Sequence, residues 1–108
     1  MPLLLALLAA CAEPDACTPM CAAAGQLYGN CLQDWGADWE AAAYADEADF
    51  LDACDTWAWE MRQLERDAGK TGATEAVCAE REAALSAEDA TCESFTGIDW
   101  HTVPWEQK

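Results

Sequence analysis

The chain has 108 residues, enough for one domain, and 53% of them are nominally hydrophobic, much of that fraction being alanine, which buries little area. Five Lys and Arg stand against 21 Asp and Glu, a net charge of −16. That balance excludes nucleic-acid binding through basic contacts and a purely electrostatic hold on anionic lipid.

Residues Leu3 to Ala10 are wholly apolar and follow Pro2. So short a run cannot span a bilayer, but it fits the h-region of a secretory signal peptide. Ala9 and Ala10 lead directly into Cys11, and the stretch LAAC (Leu8, Ala9, Ala10, Cys11) resembles the lipobox of bacterial lipoproteins. The resemblance implies a diacylglycerol on the Cys11 sulfur, cleavage just before Cys11 and a membrane anchor, and it covers residues 1–11 alone. Residues 1–10 are then a signal peptide and 11–16 a tether, followed by a helical disulfide-rich domain at 17–95 and a tail at 96–108. The implied location is the bacterial cell envelope, facing the periplasm or the exterior. No basic residue precedes Leu3, so the expected start of translation lies upstream.

The first helical segment begins near Thr18–Pro19, an N-cap and first-turn pair. Its apolar residues Cys17, Cys21, Ala24, Tyr28, Cys31 and Trp35 recur at spacings of four and three, a single seam facing a bundle. Gly25 and Gly29 weaken it by up to about 1 kcal/mol each, and Gly36 ends it. A second segment runs from about Asp38 to Ala68, with Gly69 as its stop. Its seam is Phe50, Cys54, Trp57, Met61, Leu64 and Ala68; the stretch before Phe50 is less regular and reads as a turn or a short helix. Gly69 to Gly72 connects to a third segment that opens near Thr74 and carries Cys78, Leu85, Cys92 and Phe95 on one face. Arg81 and Glu88 interrupt that face, and Ser86 to Asp89 reads as a capping box where the helix can break and restart. From Thr96 onward there is no period, only a tail packed by its aromatics. The expected fold is all-α: a small disulfide-stapled three-helix bundle, up-down-up, with an irregular aromatic C-terminal tail.

Cysteine number is odd, seven in all. Assigning Cys11 to lipid leaves an even six for disulfides in an oxidising compartment. Sequence alone leaves fifteen pairings open. Cys17 and Cys31 are spaced like Cys78 and Cys92, two heptads apart, about 21 Å of helical rise. Parallel first and third helices therefore favour Cys17–Cys78 and Cys31–Cys92, and an antiparallel second helix favours Cys21–Cys54. The third helix comes out about a turn and a half off register; loop conformation or a break at Ser86 has to absorb it.

Enzyme chemistry finds little support. Gly69 to Thr71 ends like a phosphate-binding loop, but Leu64 occupies the position of its first glycine and no strand precedes it. Zinc coordination lacks a CxxC pair, and His101 is the single histidine. The acidic run Asp46, Glu47, Asp49, Asp52 and Asp55 lacks the glycine and alternation of a calcium loop and reads as a solvated helix face. Trp57 and Trp35 fit their core seams. Trp39 does not, and Trp59, Trp100 and Trp105 are candidates for contact with a protein or glycan partner. The expected function is a non-enzymatic envelope lipoprotein with a binding or structural role and no cofactor. The alternative is a saposin-like module that interacts with lipid, a likeness of architecture only, since the cysteine spacing of saposins is not matched.

Overall fold

The structure is a computed structural model that describes residues 15–107. The lipobox-like segment, Cys11 and most of the tether lie outside the described residues. Four helices follow in order: α1 (Cys17–Asp34), α2 (Glu47–Ala68), α3 (Ala73–Leu85) and the short α4 (Cys92–Thr96), then a 3-10 turn at Pro104–Glu106. Among the described residues there is no strand, and no helix is long and apolar enough to cross a membrane.

Helix α1 is the centre of the bundle. Cys17, Met20, Cys21, Ala24, Cys31 and Leu32 are buried along it, with Met20 and Ala24 fully enclosed. The buried stripe is thus wider than the seam expected from spacing, which passed over Met20 and Leu32. Trp35 is the opposite case. The helix ends at Asp34, Trp35 becomes its C-cap, and the indole is 51% exposed instead of extending the seam. The N-terminus also differs, because Asp15 and not Thr18 does the capping. Its carboxylate accepts from the Cys17 and Thr18 amides at 3.1 and 3.3 Å and from the Thr18 hydroxyl.

Gly25 and Gly29 have a packing reason to interrupt a helix. A Cβ at Gly25 would stand 3.2 Å from a Leu51 methyl and 3.4 Å from the Phe50 ring, and one at Gly29 would stand 3.2 Å from the Trp39 indole. The missing side chains let α2 and the loop before it lie against α1, which offsets the propensity loss.

Helix α2 starts later than Asp38. Asp46 is its N-cap, accepting from the Asp49 amide at 2.8 Å, while Asp38 caps a separate turn through the Ala41 amide. Gly69, at φ 70°, ends α2 as expected, and the Lys70 amide reaches back to the Glu65 carbonyl at 2.8 Å, the six-to-one bond of a left-handed helix stop. The second half of the α2 seam is displaced. Leu64 is 46% exposed and Ala68 is exposed, whereas Glu65 is buried.

Glu65 is buried for a reason visible in the next helix. Helix α3 begins after Gly72, which has no side chain to cap with, and the Glu65 carboxylate accepts from the Ala73 amide at 3.0 Å and lies 3.5 Å from that of Thr74. An anion at a helix N-terminus satisfies orphan donors and complements the dipole. Glu65→Ala is expected to lower stability by about 1–2 kcal/mol, with Glu65→Gln losing less because it keeps an acceptor; urea unfolding followed by circular dichroism measures both.

The chain breaks after Leu85 and restarts at Cys92. The capping box is not at Ser86–Asp89 but at Thr91 and Ser94, each side chain serving the other's backbone amide. The break absorbs the register difference between α1 and the third segment. Three disulfides close the bundle: Cys17–Cys78, Cys21–Cys54 and Cys31–Cys92, with Cα–Cα distances of 4.9, 5.8 and 5.8 Å. Cys17–Cys78 and Cys31–Cys92 are the pairs that the matched spacing favours, and Cys21–Cys54 is the one that the antiparallel second helix favours.

Candidate functional site

The described residues enclose one cleft whose walls are almost entirely aromatic. Its volume is about 380 Å³, and Tyr28, Tyr44, Phe50, Phe95, Trp57 and Trp100 surround it, with Cys54 and small alanines between them and His101 at the rim. Each wall comes from a different part of the chain. Tyr28 projects from α1, Phe50 and Trp57 from positions two turns apart on α2, Phe95 from α4, and Tyr44 and Trp100 from the loops on either side.

Phe50 is the floor. Its ring meets those of Tyr28, Trp39, Tyr44 and Phe95 at centroid distances of 5.6, 5.6, 5.3 and 6.1 Å. Most of these are edge-on or tilted, the arrangement that ring quadrupoles favour. Tyr28 also stacks on Phe95 at 4.2 Å. Burial of Tyr28, with the Tyr44 phenol nearby, raises its pKa above the ordinary tyrosine value, so the phenol stays a neutral donor and acceptor. Tyr44 is held by strained backbone: Ala43, directly before it, adopts φ 73°, a left-handed conformation unusual for a residue with a Cβ. The Tyr44 amide donates to the Trp39 carbonyl at 2.9 Å.

On the far wall, Trp57 and Trp100 meet edge-on at 5.3 Å, and the Trp57 indole N–H donates to the Trp100 carbonyl at 3.3 Å. Behind them lies Arg81, which the spacing of α3 marked as an interruption of the apolar face. It is buried, its guanidinium carbon lying 5.5 Å from the Trp57 ring centre and 5.1 Å from that of Trp100. One terminal nitrogen donates to the Asp99 carbonyl at 2.9 Å, and the other has no hydrogen-bond partner. The two ring faces supply the attraction that conventional acceptors do not. Burial lowers the Arg81 pKa, while the charges of Asp99 and Glu80 oppose that shift; a guanidinium remains a cation throughout.

A second polar grouping ties down the start of the domain. Arg62 lies 3.2 Å from Asp15 and 2.9 Å from Glu75, and the Glu75 carboxylate accepts from the Ala16 amide at 2.8 Å. Asp15 titrates below the ordinary carboxylate value, chiefly through the Thr18 hydroxyl, with Arg62 contributing. Cys17 sits beside these carboxylates, but its sulfur is committed to the disulfide. The arrangement is an ion-pair clasp between the chain start, α2 and α3.

The three tryptophans proposed as contacts are not brought together. Trp100 packs into the cleft wall, and Trp105 is half-buried in the 3-10 turn, which lies against α3. Trp59 is 64% exposed on the opposite side of α2 from Trp57, as a two-residue separation on a helix requires. Trp39, which fitted no seam, packs against Tyr28 and Phe50. Spacing within one helix could not show that, because Trp39 reaches the core from a loop. The acidic run of α2 acts locally: Asp46 caps the helix, Asp49 accepts from the Ala45 amide at 2.9 Å, and Asp52 and Asp55 are exposed.

Comparison with protein-family models, curated proteins and solved structures finds no match to this chain.

Proposed function

We propose that the chain is a non-enzymatic lipoprotein of the bacterial envelope, held to a membrane through Cys11 and presenting a disulfide-stapled binding domain. The observation that carries this reading is cysteine arithmetic. Six of the seven cysteines pair among themselves, so Cys11 has no partner left within the chain. It is also the cysteine that closes the lipobox-like LAAC. Three disulfides favour an oxidising compartment, in keeping with export. The binding role draws on the aromatic cleft, whose volume is in the range of small-ligand sites.

A saposin-like role requires a continuous apolar face. The exposed large apolar side chains of the described residues are Trp35, Trp59 and Leu64, with Trp35 and Leu64 at opposite ends of the antiparallel α1–α2 pair, which favours the first reading.

Intact mass of the protein made in a bacterium with lipoprotein processing is the test. Residues 1–10 are expected to be lost and acyl mass gained, and Cys11→Ser is expected to abolish both. An unmodified Cys11 in the wild type sinks the anchor.

A further inference from the structure

We propose that the aromatic cleft binds an organic cation of the alkylammonium class, a poorly hydrated positive group such as a trimethylammonium, cradled by ring faces. The inference takes the binding role of the cleft from the preceding reading and is independent of the lipid anchor.

Three features converge. The first is the lining. Six aromatic side chains surround about 380 Å³, and no carboxylate, lysine or arginine is among the residues that form the walls. A metal ion or a strongly hydrated ammonium would find no ligand set there, whereas a methylated ammonium needs none and gains from quadrupoles. An anion would find no lysine or arginine in the lining.

The second is the surrounding field. The chain carries a net charge of −16. Of its few basic residues, Arg62 is neutralised by Asp15 and Glu75 and Arg81 is buried behind the rings. A cleft in so acidic a domain concentrates cations at its mouth and disfavours anions.

The third is internal precedent. Two wall rings, Trp57 and Trp100, already hold a cation, the Arg81 guanidinium, at 5.5 and 5.1 Å. Arg81 does not line the cleft; it opens instead onto a separate depression with Asp99, Thr102 and Glu106. The Asp99 carbonyl accepts from it at 2.9 Å, and the negative charges of Asp99 and Glu80 moderate its repulsion of a second cation. Tyr28, Tyr44, Phe50 and Phe95 form the other walls, away from the Arg81 contact. The Tyr44 ring is packed edge-on against Phe50 and Trp39 at 5.3 and 6.3 Å, which lowers the ordering cost of binding.

The test compares choline with its neutral isostere 3,3-dimethyl-1-butanol and with pivalate, using the oxidised full-length chain at constant salt. Nuclear magnetic resonance shifts of the Trp57 and Trp100 indole N–H groups report binding. Choline is expected to give saturable shifts at both and to bind at least about fivefold more tightly than the alcohol, with no response to pivalate. Tyr44→Leu keeps an apolar side chain at the half-exposed rim and is expected to weaken choline while leaving the alcohol unchanged. Equal affinity for choline and the alcohol would overturn the cation and leave an apolar cleft. No saturable shift with either probe would overturn the cation and the binding role together.

Discussion

Phe50→Ala is expected to lower the stability of the oxidised domain by about 3–5 kcal/mol, measured as a shift of the urea midpoint. Phe50 is 5% exposed and touches four other rings, contributed by α1, α4 and the loop before α2. Truncation removes the transfer energy of the ring and leaves a cavity where these segments meet. The disulfides limit how far they can collapse into it, which places the cost in the upper part of that range. Trp39 is held partly by the same ring, so the near-ultraviolet dichroism of the variant should fall even where it remains folded. The slope of the unfolding transition should not change, because the unfolded chain is cross-linked as before. A loss below about 1 kcal/mol would show that the surrounding rings repack without Phe50.

Opening the bridge at the other end of the bundle should look different. Cys17→Ala combined with Cys78→Ala is expected to cost about 2–5 kcal/mol. Both residues are almost completely buried, and the bridge spans 61 residues of sequence. With the other two bridges intact, the loop it closes is shortened to roughly 28 residues, so its entropic contribution is about 3–4 kcal/mol. Here the slope should rise, since the unfolded ensemble gains freedom and surface. The pair of slopes therefore distinguishes a lost contact from a lost constraint. The Asp15–Arg62–Glu75 clasp lies next to this bridge and holds the same junction without covalent help, so the variant should stay folded at neutral pH. Acidification should expose the difference. Asp15 titrates below its ordinary value, so its contribution is present above the unfolded pKa and is lost as pH falls through the lower folded one.

The three long helices, their directions and the stop at Gly69 were legible in the sequence because each rests on local signals: seam spacing, a glycine after a helix, cysteines two heptads apart. The residues that were misread are those whose role is set by another segment. Leu64 and Glu65 exchange places because the start of α3 needs an acceptor and Gly72 cannot provide one. Arg81 breaks the apolar pattern of its own helix, yet it is buried because two indoles, one from α2 and one from the tail, close over it. Trp35 obeys the period but lies one residue beyond the helix that the period describes. The cleft follows the same logic. Its six rings come from five separate segments, and no window of sequence contains more than a few of them.

All three bridges start on α1, and each ends on a different helix: Cys21 on α2, Cys17 on α3 and Cys31 on α4. A protease that cuts the loop after α1, the turn at Gly69–Gly72 and the break before Cys92 would therefore release no helix. Every fragment from α1 to α4 would remain covalently attached to the segment nearest Cys11, and through it to any anchor there. Such a domain can be nicked repeatedly and still be retained as one molecule, shedding pieces only where thiols reach it.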